Sequence, residues 1–364
     1  MKRCKKLTLK FALFLAMATL ASCSKDSTEG GDTSSLPGTL YIDFATDGIQ
    51  AYNFREGTLT KVVNTENGPG ITGYDFTYGS GEICLSVATS RMADYYQDKQ
   101  TFLLRSYDGS YVHIPSDNIP TTGNVFRFNY QYDGDDFYRE ADLRLSPNKR
   151  YLAVDCEYWE NRGVLLFDVQ TPKLITEFVL PTEQYKSQDT PVWTNANEMY
   201  SAVSGVLYKW NPAFGDRVQE VLKINNGNGG TYVTVNPQGT RIAFRYNKHI
   251  WVQNIDGSGL TQVTTSSPSG LTNVDGEYNP VFSPDGKYIA LVGSPTVGRA
   301  WTDYDPLQPS MPFVSVTGGG YGYVFVIPDD NKLYNLEDKS SGFIHLKTDG
   351  WKGVPSYFSN MIWR

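Results

Sequence analysis

The feature that most constrains this chain is a short motif that recurs along its length. The clearest copy is residues 279–293, NPVFSPDGKYIALVG. It reads as a strand, a turn over Ser283-Pro284-Asp285-Gly286 and a second strand. Proline at the second turn position presets φ, and glycine closes the turn. Good copies start at Tyr232 (YVTVNPQGTRIAFRY) and Asp142 (DLRLSPNKRYLAVDC). Degenerate ones start at Pro191 (PVWTNANEMYSAV) and Tyr74 (YDFTYGSGEICLSV), and a half-copy, VPSYFS, starts at Val354.

A third apolar strand follows each hairpin, as in IWVQNIDGSG from Ile250 or VLLFDVQTPK from Val164, and then a fourth, such as LITEFVL or VQEVLKI. Four antiparallel strands in a unit of roughly 40–50 residues are the signature of a propeller blade. Residues 39–63 read as the second to fourth strands of a blade, and VPSYFS as its missing first strand, so joining the ends would close a ring and protect two sheet edges. Turn anchors near Tyr78, Ser146, Thr194, Asn236, Ser283 and Ser359 predict an all-β, six-bladed β-propeller over residues 39–364. Because 294–350 is long for one blade, seven is the alternative. The composition agrees: 25 Tyr, 34 Gly and 19 Pro suit strands and turns, and no sustained helical apolar stripe follows residue 40.

Phe282-Ser283-Pro284-Asp285-Gly286-Lys287, followed by Ile289-Ala290, resembles the repeat of TolB-type propellers, shared with the propeller domain of prolyl oligopeptidases. The resemblance implies the fold. It implies function poorly, because propellers host many unrelated activities. The turn residues, Asp285 included, are expected to be structural.

The N-terminus reads as a targeting segment. A basic stretch to Lys10, an apolar run from Phe11 to Leu20 and Leu20-Ala21-Ser22-Cys23 make a secretory signal over residues 1–22. The apolar run is shorter than the roughly 20 residues a bilayer span needs. Leu-Ala-Ser-Cys resembles the bacterial lipobox, which implies cleavage before Cys23 and acylation of that residue; several acyl chains anchor durably where one is marginal. Residues 23–38 then form a polar tether. Its Ser24-Lys25-Asp26 start, with Glu29 and Asp32 beyond, resembles the tethers of surface-exposed lipoproteins of Bacteroidetes. Surface exposure on the outer membrane is expected over a periplasmic orientation.

Removing residues 1–22, with five cations and no acid, takes the formal charge from −7 to −12, which disfavours nucleic acid. Of the remaining cysteines, Cys84 and Cys156 sit in apolar runs and read as buried hydrophobes rather than a disulfide. His113, His249 and His345 fall in different blades, against a histidine metal site. No Gly-x-Ser-x-Gly elbow appears. Asp155, Glu157 and Glu160 are candidates for a glycosidase pair, although a solvated loop is the favoured reading. Asp133, Asp135 and Asp136 form a weak Ca²⁺ candidate without a full loop pattern; no other cofactor is expected.

The long connections are 89–100, 117–138, 156–163, 264–278 and 294–322. In a propeller these emerge on one face. They carry Arg91, Tyr95, Tyr96, Arg127, Tyr130, Tyr132, Tyr158, Trp159, Arg162, Arg299, Trp301, Tyr304 and Tyr321. Tyrosine, tryptophan and arginine dominate binding hot spots. This composition predicts a non-catalytic binding surface that captures a nutrient ligand (glycan, siderophore, cobalamin or peptide) for an outer-membrane transporter. The TolB resemblance implies the alternative of a periplasmic partner-binding scaffold. A propeller glycosidase or lyase is the third reading.

Overall fold

The computed structural model describes residues 33–43, 49–64, 71–76, 82–87, 101–106, 112–113, 143–157, 161–168, 173–181, 190–266, 276–293, 321–346, 355–357 and 361–364. Among these the regular structure is strands and short 3-10 turns.

The first sheet holds β1 (Leu40–Asp43), β2 (Ile49–Asn53) and β3 (Thr58–Asn64). A second holds β4 (Ile71–Phe76), β5 (Glu82–Val87) and β6 (Thr101–Ser106). After the short β7 (Val112–His113) come three regular four-stranded blades. They comprise β8 (Leu143–Leu145), β9 (Tyr151–Glu157), β10 (Asn161–Asp168) and β11 (Lys173–Pro181); β12 (Val192–Trp193), β13 (Met199–Val203), β14 (Val206–Trp210) and β15 (Gln219–Lys223); and β16 (Thr231–Val235), β17 (Arg241–Tyr246), β18 (His249–Asn254) and β19 (Thr261–Gln262). The strand β20 (Thr264–Thr265) precedes the last blade, built on β21 (Glu277–Phe282), β22 (Tyr288–Gly293) and β23 (Tyr321–Pro328). The chain ends with β24 (Tyr334–Asn335), β25 (Ile344–His345), β26 (Pro355–Tyr357) and β27 (Met361–Trp363).

This architecture is an all-β propeller, but it corrects the expected blade count of six, and the alternative of seven. The described residues form five sheets of four or more strands. The unit β4–β6 has three. The next strand in the chain, β7, runs parallel to β3 on the outer edge of the first sheet instead of completing its own unit. Turn anchors count hairpins, and a hairpin does not dictate where the strand after it will pair. No seventh unit lies in the described part of 294–350: β23 pairs directly with β22 and belongs to the same blade.

Ring closure also differs in its strand. The sequence assigned it to VPSYFS, but β26, within that segment, pairs with β23. The closing strand is β27, antiparallel to β1 with Leu40 opposite Trp363 and Ile42 opposite Met361. Thr39 N–H donates to Arg364 O at 2.6 Å, and Arg364 N–H donates back at 3.0 Å. The Trp363 indole N–H reaches Pro37 O at 2.6 Å.

The core lies between neighbouring blades. In β22, Ile289 and Leu291 pack toward the β16–β19 blade, whereas Ala290 and Val292 pack toward the first sheet. All four are fully buried. Both faces of a blade are thus covered, which is why its strands read as continuous apolar runs rather than alternating ones. Each such isoleucine, leucine or valine side chain stabilises by about 1.5–3 kcal/mol. Between β8–β11 and β12–β15 the filling is aromatic: Tyr151, Trp193 and Trp210, with centroids 5.1–6.2 Å apart.

The repeated turn has one mechanism. Ser283 Oγ donates to Asp285 Oδ1 (2.7 Å) and accepts from the N–H groups of Lys287 (3.1 Å) and Tyr288 (3.0 Å). Ser146 donates to Asn148 and accepts from Tyr151 N–H in the same way. In the weaker copies the anchor position accepts from the following strand too: Asn236 Oδ1 from Thr240 and Arg241, Thr194 Oγ1 from Glu198. All four anchors are buried. Three residues after each anchor the backbone turns left-handed, at Gly286, Lys149, Gly239 and Asn197. Glycine suits that position best, because only it enters the region without a Cβ penalty. Asp285 therefore has the structural role expected of it.

Candidate functional site

The innermost strands surround a central channel. A cavity of about 100 Å³ in it is lined from β8, β12, β16, β21 and β27 and their flanks: Arg144, Thr190, Val192, Trp193, Tyr232, Val233, Thr234, Asn279, Pro280, Val281, Met361, Ile362, Trp363 and Arg364. Two of these strands are bulged where they face it. The pairing of β16 with β17 shifts register between Thr231 and Thr234, and that of β21 with β22 between Tyr278 and Val281. Tyr232 (φ 55°) and Asn279 (φ 46°) are both left-handed there. A bulge re-aims side chains, and Pro280, with no N–H to give to a ladder, is tolerated at one. Left-handed backbone at a residue as large as tyrosine is a strained arrangement that clusters at binding sites.

The charged groups at and beside the channel fall into two sets. Asp75, on β4, is fully buried. Its Oδ1 accepts from Phe76 N–H (2.8 Å) and Arg364 Nη2 (2.9 Å), and its Oδ2 from Leu145 N–H (2.8 Å). One carboxylate thus joins the three-stranded unit, the next blade and the closing strand. Arg364 also donates Nε–H to Phe76 O at 3.0 Å. Arg144, on β8, is 7% exposed. Its Nη1 donates to the carbonyls of Tyr74 (3.0 Å) and Leu143 (2.7 Å), while its own carbonyl accepts from the Trp193 indole at 2.8 Å.

A polar knot sits between the last two blades. Glu277 is fully buried, with Oε2 accepting from Thr264 Oγ1 at 2.9 Å and lying 2.8 Å from His249 Nδ1. Arg245 donates to Glu277 O at 3.0 Å and stacks over Tyr278 at 4.2 Å. The adjoining Asn247-Lys248 turn has both residues left-handed, as a two-residue hairpin loop between twisted strands requires. This knot ties β21 to β18 and β20.

Most of the sequence-predicted site lies outside the described residues: Cys23, Arg91, Tyr95, Tyr96, Arg127, Tyr130, Tyr132, Tyr158, Trp159, Arg299, Trp301 and Tyr304, with Asp133, Asp135, Asp136 and Glu160. Arg162 and Tyr321 are described in their backbone, and both lie in strands rather than loops, β10 and β23. The connection expected over 156–163 narrows accordingly: β9 extends to Glu157 and β10 begins at Asn161, with Arg162 opposite Glu157. Asp155 and Cys156 lie in β9 and Cys84 in β5. His113, His249 and His345 are on β7, β18 and β25, in separate places as expected. Sequence reasoning passed over Arg144, Tyr232 and Asn279-Pro280. The available signals were an arginine within the apolar LRL segment and a proline inside a strand.

No protein-family model matches the chain, and no curated protein matches it by sequence. Solved structures do match. TolB from Acinetobacter baumannii superposes with a TM-score of 0.50 at 13% identity, over 83% of this chain and 63% of that one. The fold is a TolB-like β-propeller. This chain spans 63% of that TolB's length, and identity so low carries the fold alone. Two further likenesses are a protein titled putative TolB from Agrobacterium tumefaciens (TM-score 0.43, 12% identity, 89% of this chain and 99% of that one) and a putative 6-phosphogluconolactonase from Bacteroides uniformis ATCC 8492 (0.47, 11%, 81% and 80%).

Proposed function

We propose that this chain is a membrane-anchored binding propeller that performs no chemical step of its own. The observation that carries the reading is the chemistry of the channel. Its polar side chains are two guanidiniums, two threonines, an asparagine and a phenol. Such groups offer hydrogen bonds, and none of the lining residues is a carboxylate, histidine, lysine or cysteine of the kind general acid–base catalysis uses. Acylated Cys23 and the 23–38 tether would hold the propeller at the outer membrane, at the cell surface.

The nutrient ligand, a glycan, siderophore, cobalamin or peptide, would sit at the end of the ring where the long connections emerge. In the antiparallel order, the C-terminal ends of β5 and β22 and the N-terminal ends of β6, β8 and β23 all belong to that end. They border 88–100, 114–142 and 294–320, the stretches that carry most of the aromatic and arginine candidates. A cavity of about 100 Å³ is well below the roughly 300–1,000 Å³ of small-molecule pockets, so such a ligand belongs at this mouth and not inside the channel. The same small cavity favours a second reading, a TolB-like scaffold that meets a protein partner across a broad face. Protease shaving of intact cells, read with an antibody to the propeller, separates the two. Loss of signal supports surface capture. Protection until the outer membrane is breached overturns it in favour of a periplasmic scaffold.

A further inference from the structure

We propose that the central channel is a binding site for a small organic carboxylate, held by Arg144. The proposal concerns the channel lining and stands whichever reading of the loop-bearing end is right. A guanidinium has five N–H donors in a fixed fork. In Arg144 the two on Nη1 are taken by the carbonyls of Tyr74 and Leu143. Nε and Nη2 find no acceptor among the described residues, and no carboxylate there pairs with this charge. Asp75 is near in sequence to Tyr74, but its oxygens are committed to Arg364, Phe76 and Leu145.

A buried charge without a counter-charge is costly, and natural interiors pair it. Here Arg144 lines a cavity, so an anion entering the channel can take the donors that no described residue accepts. The geometry of the fork suits a carboxylate, which takes two parallel N–H bonds. The remaining walls select for an organic anion rather than an inorganic one. Val192, Val281 and Ile362, with Trp193 and Trp363, line the same space. An apolar body gains by leaving water for such a wall, whereas phosphate or chloride would exchange hydration for hydrocarbon. Thr234 and Asn279 lie on that lining as further polar partners. A cavity of about 100 Å³ is several times the roughly 10–15 Å³ of cavity volume that one water needs. That volume suits a monocarboxylate of a few carbons.

The test titrates the full-length chain in detergent with sodium butyrate and follows tryptophan emission, since Trp193 and Trp363 flank the site. Sodium phosphate and sodium chloride at matched ionic strength are the comparison arms. The expected result is a saturable change with butyrate alone, weakened at least about tenfold in Arg144→Met, the effect of losing charge-assisted hydrogen bonds. Because Arg144 also ties Tyr74 to Leu143, that variant can fail to fold. Val281→Phe leaves Arg144 in place and fills the cavity, so it must weaken butyrate equally. No saturable response in the wild type overturns the proposal. So does phosphate competing as well as butyrate, or a folded Val281→Phe that binds butyrate unchanged.

Discussion

Replacing Asp75 with alanine removes a side chain that holds three parts of the ring together. The carboxylate is fully buried and accepts from Leu145 N–H, Phe76 N–H and Arg364 Nη2 at 2.8–2.9 Å. Its Arg364 partner is only 13% exposed in its side chain. Losing the acid takes the Asp75 charge away from that guanidinium, and breaking a buried pair costs about 3–5 kcal/mol. The stranded Leu145 N–H adds about 1–3 kcal/mol. Against this stands the desolvation of the carboxylate itself, which the variant no longer bears. A net loss of about 4 kcal/mol follows, a large share of the roughly 5–15 kcal/mol that holds a domain folded. In urea, with a slope of about 3 kcal/mol per molar, the midpoint should fall by about 1.3 M. A double-mutant cycle with Arg364→Met should return a coupling of about 1–3 kcal/mol. A midpoint shift below about 0.3 M, or additive single-variant effects, would refute the argument that this carboxylate clips the ring.

Lys149→Gly should stabilise the protein by about 0.5–1 kcal/mol, because Lys149 holds the left-handed turn position (φ 59°) that glycine fills in the SPDG copy; thermal melts would show it. Trp363→Ala should cost about 3–5 kcal/mol, since the indole is 1% exposed, packs on Phe54 and closes the ring through Pro37, and limited proteolysis should find the N-terminal blade opened first. Burial pushes the Asp285 carboxyl up, but hydrogen bonds from Ser283 and Lys287 outweigh it and hold the group below its ordinary value. Its stabilisation is therefore present above the unfolded value of about 3.9 and lost as pH falls through the lower folded value. Asp285→Asn should make acid unfolding less steep in that window, and an unchanged acid profile would contradict the turn's electrostatics.

The blade repeat was legible because its determinants are local. Ser283, Asp285 and Gly286 satisfy one another within a few residues, and so do Ser146, Asn148 and Lys149. The misassigned parts rest on pairings between distant segments. Two short segments, 355–357 and 361–363, competed for the closing place, and what decides for the second is Trp363 on Pro37 and Arg364 on Thr39 and Asp75. Likewise β7 carries no mark in Val112-His113 that sends it to β3 rather than β6. The channel residues were missed for a related reason. Arg144 reads as one polar residue in an apolar hairpin, and only the register of β8 among four other inner strands turns it into a charge facing a cavity.

The sequence alone therefore determined the class of fold, since each hairpin writes its own turn chemistry and apolar strands buried on two faces have few architectures open to them. It also supplies the expectation of a polar tether and of anchoring at the lipobox-like Cys23. The tertiary structure alone decided how many units became complete blades, which strand closes the ring and which side chains meet at its centre. Those outcomes depend on contacts between segments far apart in the chain, from Val63 with Val112 to Leu40 with Trp363, whose energies come from shared burial and shared hydrogen bonds, and no local stretch of sequence contains both partners.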